Sequence, residues 1–194
     1  MKDAFAIGLD LLLALAAALF PVHKAASAPA SIETDFTARV IHVDDGDTVV
    51  ALKSDMSKVK VRLANIDAPE VSHGNCRPGQ PWSGQATQAL KDLVLGQSIR
   101  FTCSTLDRYG RSVCDLNLSK SPATTANREL TKMGLVWANR ANPSYLRDPA
   151  VAAAEREAQA RHLGLWSVAG AIAPWEWRQN AWKQPGCEAQ GARP

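Results

Sequence analysis

The sequence predicts an α+β fold in which a small five-stranded β-barrel carries about three helices. Three observations lead there. Five short runs rich in β-branched residues are bounded by turn-formers. An amphipathic helix stands between the third run and the fourth. Two further helical segments follow the fifth run, one with a clear stop and one with a clear start. With 194 residues and 46% hydrophobic composition, the chain holds one domain with a real core and something left over at its ends.

The first three strands are Thr37–Val43, Thr48–Lys53 and Val59–Leu63. In the third, Val59, Val61 and Leu63 alternate with Lys60 and Arg62, the pattern of a half-buried strand. A loop over 66–82 carries Pro69, Gly74, Pro78, Gly79 and Pro81. Ser83–Leu95 reads as a helix with Ala86, Leu90, Leu93 and Val94 on one face and Gly96 as its stop. Strands Ser98–Thr105 and Ser112–Leu118 flank an Asp107–Arg111 loop. Asn127–Met133 is a short helix ended by Gly134. Asp148-Pro149 opens another, with a capping carboxylate and then proline at the first position. Three strands, a helix, two strands and two helices suit a small Greek-key barrel of the OB type.

The ends read differently. Ala4 to Phe20 is apolar except for Asp10, and Ala-Ser-Ala-Pro-Ala follows at 26–30. Residues 1–30 fit a cleaved secretory signal, with cleavage after Ala28 or Ala30; the alternative is an uncleaved anchor helix. Export implies a periplasmic or secreted protein with no stable membrane association once the signal is cleaved; a monomer is expected. Residues 31–169 form the barrel domain. The 170–194 tail holds Trp175, Trp177 and Trp182, too much indole to expose, so it packs back on the domain. The net charge of +3 is too mild to coat nucleic acid non-specifically.

The four cysteines, 76, 103, 114 and 187, have no zinc spacing, and an even number in an exported chain reads as disulfides. Cys103 and Cys114 lie opposite each other if the hairpin turns between Arg108 and Tyr109. Opposed antiparallel residues sit ~4.5–5.5 Å apart, within disulfide range. Cys76 then pairs with Cys187 by elimination.

The chemistry gathers in short loops. Asp45-Gly46-Asp47-Thr48, then Arg62 through Asp67-Ala68-Pro69-Glu70, then Asp107-Arg108-Tyr109-Gly110-Arg111 place acids and arginines beside tight turns. That combination suits holding a hard cation and a phosphodiester together. Each piece is ordinary alone: Asp-Gly is hairpin chemistry, and an arginine on an alternating strand is usually solvated.

Together and in order, they resemble the staphylococcal nuclease family. The resemblance covers roughly 37–167 and includes Glu155, Ala158 and Gly164-Leu165-Trp166. It implies a five-stranded OB barrel with three helices. It also implies calcium-dependent hydrolysis of DNA and RNA phosphodiesters, leaving 3′-phosphate ends. By position, Asp47, Asp67 and the Ala68 carbonyl would be metal ligands, and Asp45 would hold metal-bound water. Arg62 and Arg111 would grip the phosphate, Glu70 would handle the attacking water, and Arg108 and Tyr109 would contact a neighbouring phosphate.

Two departures stand out. The family often has threonine where Ala68 stands. Its pair of tyrosines flanking the nucleotide base falls near Arg140 and Asn142 here, leaving Tyr145 as the nearest candidate. Two other functions fit the same fold: a non-catalytic nucleic-acid- or protein-binding module, and a phosphodiesterase for small nucleotides. Retention of all the acids and both arginines argues against the first.

Overall fold

One long strand organises the barrel. β1 (Asp35–Asp45) buries Phe36, Ala38 and Val40 between exposed neighbours. It pairs antiparallel with two strands: residues 35–39 with β5 (Ser98–Leu106), residues 39–45 with β2 (Thr48–Leu52). Two register shifts in the β1–β2 ladder let one strand bend across both. β2 pairs with β3 (Lys58–Leu63), β3 runs parallel to β6 (Ser112–Asn117), and β6 returns to β5. The order β1-β2-β3-β6-β5 closes the barrel. Val40, Val49, Val61, Leu63, Phe101 and Leu116 fill it, and the Phe36 and Phe101 rings stack at 4.9 Å. The computed structural model describes residues 34–74, 76–118 and 124–182. The apolar stretch read as a signal, and Cys187, lie outside the described residues.

α1 (Ser83–Val94) lays Ala86, Leu90 and Val94 on the barrel, and Gly96 follows it with a φ of 78°. α2 (Ala126–Lys132) is capped by Thr125, whose hydroxyl accepts the Arg128 N–H at 3.2 Å. α3 (Pro149–Ala160) is capped by Asp148, which accepts the Ala150 N–H at 2.9 Å. A two-strand ladder, β4 (Ile66–Asp67) with β7 (Trp137–Ala138), stands beside the barrel. A fourth helix, α4 (Pro174–Asn180), exceeds the three that the sequence leads one to expect. Its seven residues carry too short a periodicity to announce a helix.

Within the described part of the tail, Ala173 and Trp175 lie against the domain in a second apolar cluster. Trp137, Leu165 and Ala173 form it, with Trp82, Trp166 and Trp175 packed around them. Among the described residues no helix is long and apolar enough to cross a membrane.

The β5–β6 hairpin carries a disulfide between Cys103 and Cys114, directly paired across the ladder. Closer to the turn the register shifts: Thr105 faces Val113 and Leu106 faces Ser112. Ser104 is the extra residue. The turn therefore centres on Tyr109 and not between Arg108 and Tyr109. A three-residue loop explains it: the Asp107 N–H donates to the Arg111 carbonyl at 2.9 Å, and Gly110 adopts a φ of 77°. Cys76 is also disulfide-bonded.

Candidate active site

The first carboxylate is placed by a two-residue hairpin. Asp45 faces Thr48, so Gly46 and Asp47 make the turn between β1 and β2. The Asp45 carboxylate accepts the Asp47 N–H at 3.0 Å, which fixes the turn. Gly46 is required by crowding: a Cβ there would meet the Ala68 and Ala86 methyls at 2.8 Å. Asp47 is thereby driven inward and is only 3% exposed. Its Oδ2 accepts the Ala68 N–H at 2.8 Å, tying the hairpin to the strand that carries Asp67.

Arg62 lies opposite Thr48 in the β2–β3 ladder, one strand over from Asp47. Its guanidinium forks: Nη1 donates to Asp47 Oδ1 at 2.8 Å and Nη2 to Asp67 Oδ1 at 2.6 Å. Asn65 then turns the chain from β3 into β4, with a φ of 65°. Its side-chain oxygen accepts the Arg147 and Asp148 N–H groups at 2.8 and 3.0 Å, which locks the turn. Asp67, 1% exposed, follows two residues later.

The Asp107–Arg111 loop closes the other side. Asp107 accepts the Tyr109 and Arg111 N–H groups and holds Arg111 Nε at 2.7 Å. Arg111 Nη1 reaches the Thr48 hydroxyl at 3.4 Å, beside Asp47. Arg108 and Tyr109 stand exposed at the tip, the guanidinium 4.8 Å from the ring centre. Tyr145 is exposed on the loop before α3, and its N–H donates to the Asn142 carbonyl.

A residue outside these motifs completes the cluster. Arg178, on α4, donates from Nη2 to Asp67 Oδ2 at 2.8 Å and from Nη1 to Asp67 Oδ1 at 3.3 Å. The same Nη1 also donates to Glu70 Oε1. The site is thus an alternating chain of charges: Asp47, Arg62, Asp67, Arg178, Glu70. The sequence held a signal for it. Three tryptophans in the tail call for packing against the domain, and Arg178 lies among them in the sequence.

The electrostatics follow from burial. Desolvation pushes the Asp47 carboxyl up to about 7 against the pull of Arg62, with Asp45 and Asp67 adding to the rise. Desolvation likewise raises Glu70, opposed by Arg178. Burial disfavours the charged Arg62, but Asp47 and Asp67 outweigh it and leave the guanidinium more firmly protonated than usual. Arg178 is raised in the same way, with Asp67 and Glu70 outweighing its burial. Partial burial works against the Asp107 carboxylate, but hydrogen bonds from Arg111 and Tyr109 hold it below its ordinary value. Three buried or half-buried carboxylates therefore share two guanidiniums, a deficit of positive charge.

Residues 60–168 match the family described as staphylococcal nuclease homologue. The chain belongs to the staphylococcal nuclease family. It is 35% identical over 144 residues to an uncharacterized endonuclease of Haemophilus influenzae, covering 74% of each chain. It is 34% identical over 154 residues to the micrococcal nuclease of Shigella flexneri, covering 75% of this chain and 82% of the relative. Protein ParB of Escherichia coli is 32% identical over 153 residues, covering 76% and 81%. These likenesses support a nucleic-acid hydrolase, and the family is generally metal-dependent. The matched span holds Arg62, Asp67, Glu70 and Arg111; Asp47 precedes it and Arg178 follows it.

The donor set fits a hard cation. Among the described residues no three His, Cys, Asp or Glu side chains converge as a metal cage does. What lies together is the Asp47 and Asp67 carboxylates, bridged by Arg62, with the Ala68 N–H on Asp47 and Asp45 alongside. Carboxylate oxygens of this kind suit a hard cation. The excess of carboxylates over guanidiniums in the cluster points the same way.

Proposed function

We propose that this chain is an exported, calcium-dependent nuclease that hydrolyses phosphodiester bonds of DNA and RNA by in-line attack of water, leaving 3′-phosphate ends. In this reading residues 1–30 are removed, the mature chain is a monomer, and calcium is held by Asp47, Asp67 and the Ala68 carbonyl, with Asp45 steadying its water. When bound there, such an ion would supply positive charge at the phosphate and make water easier to deprotonate. The observation that carries the reading is the ion-paired cluster of Asp47, Arg62, Asp67 and Glu70, with Arg111 one hydroxyl away.

The chain's own residues do the rest. Arg62 and Arg111 present planar forks that match phosphate oxygens and stay charged at any relevant pH. Arg62 arrives paired to two aspartates, so it is oriented before substrate binds. Arg111 is oriented by Asp107, and the Cys103–Cys114 bond braces the hairpin that carries both. Glu70 accepts a proton from water; its desolvated carboxyl is a stronger base than a solvated one. Arg108 and Tyr109, exposed beside Arg111, contact a neighbouring phosphate, and Tyr145 is the candidate platform for a base.

The purified mature protein should degrade DNA and RNA with calcium, and lose all activity in excess chelator. Undiminished hydrolysis in chelator would refute the metal assignment. Rates on duplex, single strand and dinucleotide separate a polymer nuclease from a small-nucleotide phosphodiesterase.

A further inference from the structure

Arg178 occupies the oxygens that a cation would need. An ionised carboxylate offers about four lone-pair positions. On Asp67, Oδ1 already accepts Arg62 Nη2 and Arg178 Nη1, and Oδ2 accepts Arg178 Nη2. On Asp47, Oδ1 accepts Arg62 and the Thr48 hydroxyl, and Oδ2 accepts the Ala68 N–H. One acceptor position is left on each Oδ2. At Asp67 that position lies beside the Arg178 guanidinium. A divalent ion shared by Asp47 and Asp67 must therefore displace Arg178 or tolerate its charge at close range.

α4 does not depend on that ion pair for its place. Ala173, at its N-cap, is buried in the second apolar cluster. The Trp177 and Trp182 indole N–H groups both donate to the Pro78 carbonyl at 3.0 Å. Gln80 donates its amide to the Ile172 carbonyl, accepts the Glu70 N–H at 3.2 Å, and gives its own N–H to the Glu70 carbonyl at 2.7 Å. The helix is thus fastened to the loop that carries Glu70 by neutral contacts, and Arg178 is presented from that anchored frame.

We propose that Arg178 is a built-in counter-ion that competes with the divalent cation for Asp67, so that the C-terminal helix sets the cation affinity of the site. The proposal rests on the cation site assigned above to Asp47 and Asp67. Arg178 neutralises Asp67 and Glu70 when no cation is bound and gives up Asp67 when one enters. The consequence is a site tuned to weak binding, the range in which extracellular calcium modules work.

Calcium titration of the full mature chain by calorimetry tests this without any substrate. Arg178→Gln should bind calcium on the order of tenfold more tightly than wild type, since a unit charge a few ångströms from a divalent ion costs that much even under the screening of water. A fixed calcium concentration should also raise the melting temperature of Arg178→Gln by more than that of wild type. Arg178→Lys, which keeps the charge but cannot hold both Asp67 oxygens, should fall between them; if the glutamine variant does not fold, the lysine variant decides on the same criterion. Equal or weaker calcium affinity in the folded variant overturns the proposal and leaves the site assignment standing. No calcium binding by wild type or variant overturns both. A merely structural role for Arg178 would weaken binding, the opposite sign.

Discussion

The two sides of this site are built by opposite means. Arg111 is held by Asp107, four residues away, inside a three-residue loop braced by a disulfide. Asp67 and Glu70 are held by Arg178, from a helix more than 100 residues along the chain. The first side forms wherever its hairpin forms. The second exists only when the tail has docked on the loop before α1. A local device survives loosening of the rest of the molecule, whereas a distant one couples the site to global packing.

The largest expected effect tests whether both sides serve one reaction. Arg111→Ala, Arg62→Ala and Glu70→Gln should each lower turnover about 10²–10³-fold, because each acts on charge developing at phosphorus or at water. Arg111→Lys should not restore it, since lysine lacks the fork. The stabilities should differ. Arg62→Ala leaves Asp47 and Asp67 buried without their shared partner and should cost several kcal/mol, on the order of 3–5. Arg111→Ala removes a more local pair and should cost far less. Chemical denaturation of both variants, alongside initial rates, decides it; equal stability loss would show that the two sides are not built differently.

Next is the disulfide. Replacing Cys103 and Cys114 with serine together should lower stability by roughly 3 kcal/mol in the loop-entropy account. The calcium affinity of the Asp47–Asp67 side should hardly change. A calcium affinity that falls with the disulfide would mean that the local side also supports the distant one.

The smallest effects are in pH, and the two sides have opposite signs. The Asp107 carboxyl is depressed below its ordinary 3.8, so its contribution is present above that value and is lost as pH falls through the depressed one. Asp107→Asn should therefore be less stable than wild type at neutral pH, with the gap closing in acid. Asp47 is raised from 3.8 to about 7, so in chelator its contribution is greatest below 3.8 and is lost as pH rises through that window. Asp47→Asn should flatten that decline, and calcium should reverse it in wild type alone. Thermal melts across pH, with chelator and with calcium, read both signs.

By itself the sequence determined whatever depends on near neighbours. Runs of β-branched residues between turn-formers, with alternation in the third, marked the five barrel strands, and Gly96, Gly134 and Asp148-Pro149 bounded the helices to within two residues or so. The Asp-Gly-Asp hairpin, the Asp107–Arg111 loop and the Cys103–Cys114 partnership follow from turn chemistry and strand pairing, which act over a few residues. Only the structure showed the bulge at Ser104, where the β5–β6 register slips by one between Cys103 and Thr105. Only it turned the chain at Asn65, whose side chain is held by N–H groups more than 80 residues away. And only it brought Arg178 to Asp67 and Glu70. The tail announced that its tryptophans must be buried, because the cost of exposing them is written in their composition. Where they are buried depends on Pro78, Gln80 and a cluster around Trp137 and Leu165, contacts between distant segments that no local pattern encodes.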